Sequence, residues 1–132
     1  MDNSSPERRK HARVPVHFSV FYRIDRPIEV RMRIREEEVS AIMLDLSEGG
    51  LSVSTSYNIP EGTLLFINFT LINEYAVGNE RTKSMLIDAE VRNCILIAEK
   101  EYRLGIQFNY MDEENKLAIR NLVLMLYPSR GN

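Results

Sequence analysis

From Val14 the chain alternates. Val14, Val16, Phe18, Val20, Tyr22 and Ile24 share one parity, and Pro15, His17, Ser19 and Arg23 fill most of the other. Successive side chains leave a pleated strand on opposite sides, so a period of two over this length describes a strand with one buried face. Inward sets of the same kind return at Leu65, Ile67, Phe69 and Leu71, and at Ile87, Ala89 and Val91 with continuation through Ile95 and Ile97. They return once more at Leu104, Ile106 and Phe108. A chain patterned this way must close a sheet upon itself or upon a second sheet.

The connections agree. Asp25-Arg26-Pro27, Gly49-Gly50, Asn58 to Gly62 and Gly78-Asn79 are turn clusters separating short strands. Over 39–46, taking the bulkier set Ile42, Leu44 and Leu46 as inward turns Asp45 outward, with Ser47 leaning the same way. Gly49 and Gly50 then supply backbone freedom, positive φ included, for the reversal into 51–55. Residues 28–38 fit two templates. Ile28, Val30, Met32 and Ile34 alternate with charged residues, yet the Arg- and Glu-rich run also holds good helix formers. The alternation favours an extended hairpin arm.

Only the end of the chain is helical. Asp112-Glu113-Glu114 offers a cap and early acidic residues, and Leu117, Ala118, Ile119, Leu122, Met125 and Leu126 recur at helical spacing until Pro128. Strands with glycine turns and one late helix, about 112–127, predict a mainly β domain: an antiparallel barrel or sandwich whose open side the helix covers. With 132 residues, 44% of them hydrophobic, the chain closes one core.

Residues 1–13 are of another kind. They are polar, carry almost no apolar residue, and cannot bury enough surface to order themselves, which predicts a flexible arm followed by a single domain over 14–132. Arg8, Arg9, Lys10 and Arg13 against Asp2 and Glu7 put +2 on this arm; the whole chain carries −2, leaving −4 for the rest. Attraction for anions is therefore local. No apolar run reaches the roughly 20 residues of a bilayer span and no signal-peptide pattern appears, so a cytosolic protein is expected. Cys94, the sole cysteine, reads as a buried inert thiol among apolar neighbours. His11 and His17 are too few for a metal centre, and no nucleophile, base and acid arrangement or phosphate loop points to an enzyme.

Two short motifs bear on function. Arg9 and Arg13 present planar forks that match phosphate oxygens, and the same fork reaches guanine O6 and N7. Asp45 can accept two parallel hydrogen bonds from the N1–H and amino group of guanine, a donor pair adenine lacks. Ser47 can add another, and Gly50 lets a flat base approach the backbone. Alone, an R-x-x-x-R is usually a solvated basic patch and D-x-S-x-x-G a hairpin turn with a local hydrogen bond.

In this order, on either side of a first strand, Arg9-Lys10-His11-Ala12-Arg13 and Asp45-Leu46-Ser47-Glu48-Gly49-Gly50 resemble the two motifs of the PilZ domain family. Leu104-Gly105-Ile106-Gln107-Phe108 and the helix after it extend the resemblance to roughly residues 7–127. The resemblance implies a six-stranded antiparallel β-barrel of split-barrel type with a C-terminal α-helix, binding cyclic di-guanosine monophosphate (cyclic di-GMP) on its outer surface. It implies that Arg9 and Arg13 hold phosphates and guanine faces, and that Asp45, Ser47 and Gly50 hold a guanine edge. Arg8, just before the first motif, implies a stacked ligand dimer. No cofactor is implied; with no additional domain recognisable in this sequence, an unidentified effector protein is expected.

Two rivals stand beside this reading. One is a PilZ-like adaptor acting by protein contact without nucleotide; the other is a single-stranded nucleic-acid-binding barrel, opposed by the inward parity of Phe18, Tyr22, Phe69 and Phe108 and by the acidic domain. Segment 28–38 and the apolar helix could each support a homodimer. Arg92 and Arg103, on outward strand positions, are left outside the expected site.

Overall fold

The computed structural model describes residues 14–15, 18–72 and 82–126. The alternating segments form strands β1 (Val14–Pro15), β2 (Ser19–Arg26), β3 (Val39–Leu46), β4 (Gly50–Thr55), β5 (Leu64–Ile72), β6 (Thr82–Ala98) and β7 (Glu101–Tyr110). Two helices join them: α1 (Ile28–Arg33) and α2 (Glu113–Leu126). All pairings are antiparallel in the order β3-β2-β5-β6-β7-β4, and β4 returns to β3, closing a six-stranded barrel. β1 is a short addition to the edge of β3, level with Asp45 and Leu46.

Parity fills the barrel. Val20, Tyr22 and Ile24 of β2, Leu65, Ile67, Phe69 and Leu71 of β5, Ile87, Ala89 and Val91 of β6, and Leu104, Ile106 and Phe108 of β7 all point inward and are buried. At roughly 25 cal/mol per Å² of apolar area, this interdigitated set is the main stabilising term of the fold. Inside it Tyr22 shares a hydrogen bond of 2.8 Å with the hydroxyl of Thr55, also buried. Burial, opposed only in part by that bond, pushes the phenol from 10.0 up to about 12.

Helix α2 starts where expected. The Asp112 carboxylate accepts from the backbone N–H of Asn115 at 2.8 Å, capping the first turn. Ile119, Leu122 and Val123 are buried, whereas Leu117 and Met125 are exposed, so the apolar stripe toward the barrel is narrower than the periodicity implied. No helix among the described residues is long and apolar enough to cross a membrane. Cys94 is half-buried, packs against the core, and donates to Asn58 Oδ1 at 3.3 Å.

Four expectations are corrected. Residues 28–33 are helical, not an extended arm. Val30 and Ile34, four apart, are both buried, while Ile28 and Met32 are exposed. A buried pair at i and i+4 is a helical face, so the alternation there was coincidental. In β3 the inward set is Val39, Ala41 and Met43, with Ile42 45% exposed. A register shift against β4 between Met43 and Asp45 then inverts the parity, returning Leu46 to the core and leaving Asp45 on the outer side. Ile95 and Ile97 do not continue the core. They are exposed beyond a register shift at Val91 and Asn93, past the last β5–β6 pair at Glu90. Gly49 and Gly50 do not adopt positive φ; among described glycines only Gly62 does.

Candidate functional site on the outer barrel face

The site is built where β3 turns into β4. Ser47 is 3% exposed, so it does not lean outward beside Asp45 as parity suggested. Its hydroxyl donates to the Gly50 carbonyl at 3.2 Å and accepts from the Gly49 N–H at 3.3 Å, while its backbone N–H donates to the same Gly50 carbonyl at 2.9 Å. The Ser side chain thus closes its own turn with local hydrogen bonds, with no positive φ at either glycine. Gly50 is required by packing: a Cβ there would lie 2.1 Å from the carbonyl oxygen of Ile106. The missing side chain lets β4 approach β7.

Tertiary contacts hold this turn from two sides. The Gly49 carbonyl accepts from the Phe108 N–H at 2.9 Å. Arg120 of α2 grips the Glu48 carboxylate with Nε at 3.0 Å and Nη2 at 3.3 Å. That hydrogen-bonded carboxylate raises the Arg120 guanidinium above its ordinary value, keeping it charged.

Asp45 sits at the end of β3 with its side chain 16% exposed. Its Oδ2 accepts from Arg103 Nη2 at 2.9 Å, and the same nitrogen donates to Ser52 Oγ at 3.2 Å. Arg103, a β7 residue left outside the expected site, is thus part of it. The local sequence could show only its outward parity, since its partner lies 58 residues away. Arg92 is exposed at the β6 register shift.

Of the six residues expected to form the site, Asp45, Ser47 and Gly50 fall within one turn. Arg8, Arg9 and Arg13 lie outside the described residues. The chain that follows Arg13 is nevertheless registered here, because Val14 pairs with Leu46 and Pro15 with Asp45. A cleft of about 640 Å³ lies on the other side of the turn, lined by Glu48, Phe108, Tyr110, Asp112, Glu113 and Lys116. Three carboxylates against one ammonium make that cleft a poor seat for a phosphate. Arg103 and the entry of β1 lie outside that cleft's lining. No group of acidic, His and Cys residues able to hold a metal occurs among the described residues.

Solved structures share this architecture. MotI/DgrA, the inhibitor of motility of Bacillus subtilis, aligns over 94% of this chain and 53% of its own, at 16% identity and a TM-score of 0.73. The PilZ domain of YcgR from Escherichia coli, solved with c-di-GMP, aligns over 90% of this chain and 91% of its own, at 15% identity and 0.62. MrkH of K. pneumonia, in complex with c-di-GMP, aligns over 89% and 51%, at 19% identity and 0.59. The chain thus spans about half the length of MotI/DgrA and of MrkH. No curated protein matches it. At these identities the likeness establishes the fold, and the family rests on a separate match: the PilZ domain model covers residues 7–125, including both motif segments and the turn described above. The chain belongs to the PilZ domain family.

Proposed function

We propose that this protein is a cytosolic receptor for cyclic di-GMP, acting by binding and not by catalysis. The observation that carries the reading is the register of β1. Asp45 stands on the outer face beside Arg103, and the two residues that follow Arg13 are paired to the strand that bears it. This register supports a reading in which the segment before Val14 supplies the phosphate clamp and Asp45 the guanine-edge acceptor. Family membership and the c-di-GMP in the YcgR and MrkH structures support the same ligand.

In this reading Arg9 and Arg13 pair with the phosphates and stack on guanine faces, and Arg8 holds a second, stacked ligand molecule. Asp45 accepts from guanine N1–H and the amino group. Ser47 and Gly50 serve by shaping the turn that presents it. Binding draws the arm onto the barrel face, an order change that offers a new surface to an effector protein.

Titration calorimetry on the full chain tests this. Cyclic di-GMP is expected to bind with two molecules per chain, and cyclic di-AMP to bind far more weakly. Asp45→Ala should erode that discrimination by roughly ten- to a hundredfold, as a charged hydrogen-bonded contact of about 1.5–3 kcal/mol is lost. Equal weakening of both ligands means Asp45 does not read the base. A protein-contact adaptor is the second reading, favoured by Ile95, Leu96 and Ile97, three consecutive exposed apolar residues on β6. Absence of heat at high micromolar cyclic di-GMP would select it.

A further inference from the structure

We infer that Arg103 is a positioning residue for the proposed ligand site, fixing the orientation in which the Asp45 carboxylate meets a guanine edge. The inference rests on the receptor reading above. It starts from register. Asp45 pairs with Ser52 across β3–β4, Ser52 pairs with Gly105 across β4–β7, and Gly105 pairs with Asn93 across β7–β6. One row thus runs across four strands on the outer face. Arg103, two residues before Gly105, has the same parity and reaches back along the diagonal to the row's first two members.

The contact has a particular form. A single terminal nitrogen, Nη2, bridges Asp45 Oδ2 at 2.9 Å and Ser52 Oγ at 3.2 Å. Ser52 is 3% exposed, so the guanidinium is anchored on a buried hydroxyl as well as on the carboxylate. Asp45 follows a register shift in β3, where the strand alone does not dictate the direction of its side chain. The bridge holds the Oδ2 side of the carboxylate in place. A carboxylate has about four acceptor sites, so a donor on Oδ2 and a guanine edge are compatible partners.

Stability is a poor explanation for the pair. The Arg103 side chain is 45% exposed, and pairs of that exposure contribute little to folding. Orientation of a base-reading carboxylate is where it acts, because a two-bond edge contact fails once the carboxylate plane rotates away from it. A lysine would keep the charge, but its chain is one atom shorter and its rotating ammonium does not fix the two N–H directions that the planar guanidinium sets.

A double-mutant cycle measured by calorimetry on the full chain, with cyclic di-GMP and cyclic di-AMP as probes, tests the inference. Arg103→Ala is expected to lower cyclic di-GMP affinity about tenfold and to narrow discrimination between the two ligands, with Arg103→Lys restoring only part of either. In an Asp45→Ala background, Arg103→Ala should change affinity by less than about twofold, since nothing is left to position. Unchanged melting temperatures, with Arg103→Gln as a second, uncharged polar variant, separate these effects from misfolding. Wild-type binding with Arg103→Ala indistinguishable from it overturns the inference and leaves the receptor standing. Equal losses in both backgrounds overturn it too, because Arg103 then touches the ligand directly. No wild-type binding overturns the receptor reading and this inference together.

Discussion

Two hairpin turns of this barrel do the same topological work and are built differently. The turn from β6 to β7, at Glu99 and Lys100, lies in solvent; Lys100 takes a φ of 58°, and neither side chain is hydrogen-bonded or ion-paired among the described residues. The turn from β3 to β4 is closed internally by Ser47, held by the Phe108 N–H and gripped by Arg120, with Gly50 set against the Ile106 carbonyl. Reversing a chain needs none of these contacts. Their concentration at one turn makes it a rigid platform, and the proposed site lies on the platform.

Substitutions can break or sharpen that contrast. The largest effect is expected from Gly50→Ala: a Cβ 2.1 Å from a backbone oxygen must part β4 from β7, for a loss of about 3 kcal/mol or more in urea denaturation. Next, Arg9→Ala or Arg13→Ala should each weaken cyclic di-GMP binding roughly ten- to a hundredfold in calorimetry, whereas Lys100→Ala leaves it unchanged. Ser47→Ala should cost about 1–2 kcal/mol of stability by stripping the turn of its closing hydroxyl.

Below these comes the barrel interior. The Tyr22 phenol is raised from 10.0 to about 12, so its contribution is complete below pH 10 and is lost as pH rises from there through about 12, the unfolded chain ionising first. Tyr22→Phe should flatten the fall in stability over that window in denaturation followed against pH. Least of all, Lys100→Gly should relieve a left-handed residue and add up to about 1 kcal/mol, with no effect on ligand. A binding change from that substitution would erase the distinction between the turns.

Most of the barrel was legible as parity, because β2, β5 and β7 each bury one face of a strand and β6 does so as far as Val91. β3 was not. Its bulge arises from a mismatch of pairing with β4, which no single segment encodes, so Asp45 reached the outer face by a route opposite to the one parity predicted. α1 was ambiguous because six residues satisfied both periods, and only the burial of Val30 and Ile34 decides between them. At the site, the motif residues of the turn were visible, but their contacts within the fold were not: Ser47 closes the turn and Gly50 packs against β7. Arg103 showed only its outward parity, because its partner is distant in sequence and near only after closure.

Amide hydrogen exchange on the full chain with and without cyclic di-GMP tests the central claim most directly. The account predicts that residues 47–50 are already protected without ligand, that ligand adds protection over residues 7–13 and at Asp45, and that Glu99 and Lys100 do not respond. Protection confined to the β6–β7 turn, or no change at all at saturating ligand, would contradict it.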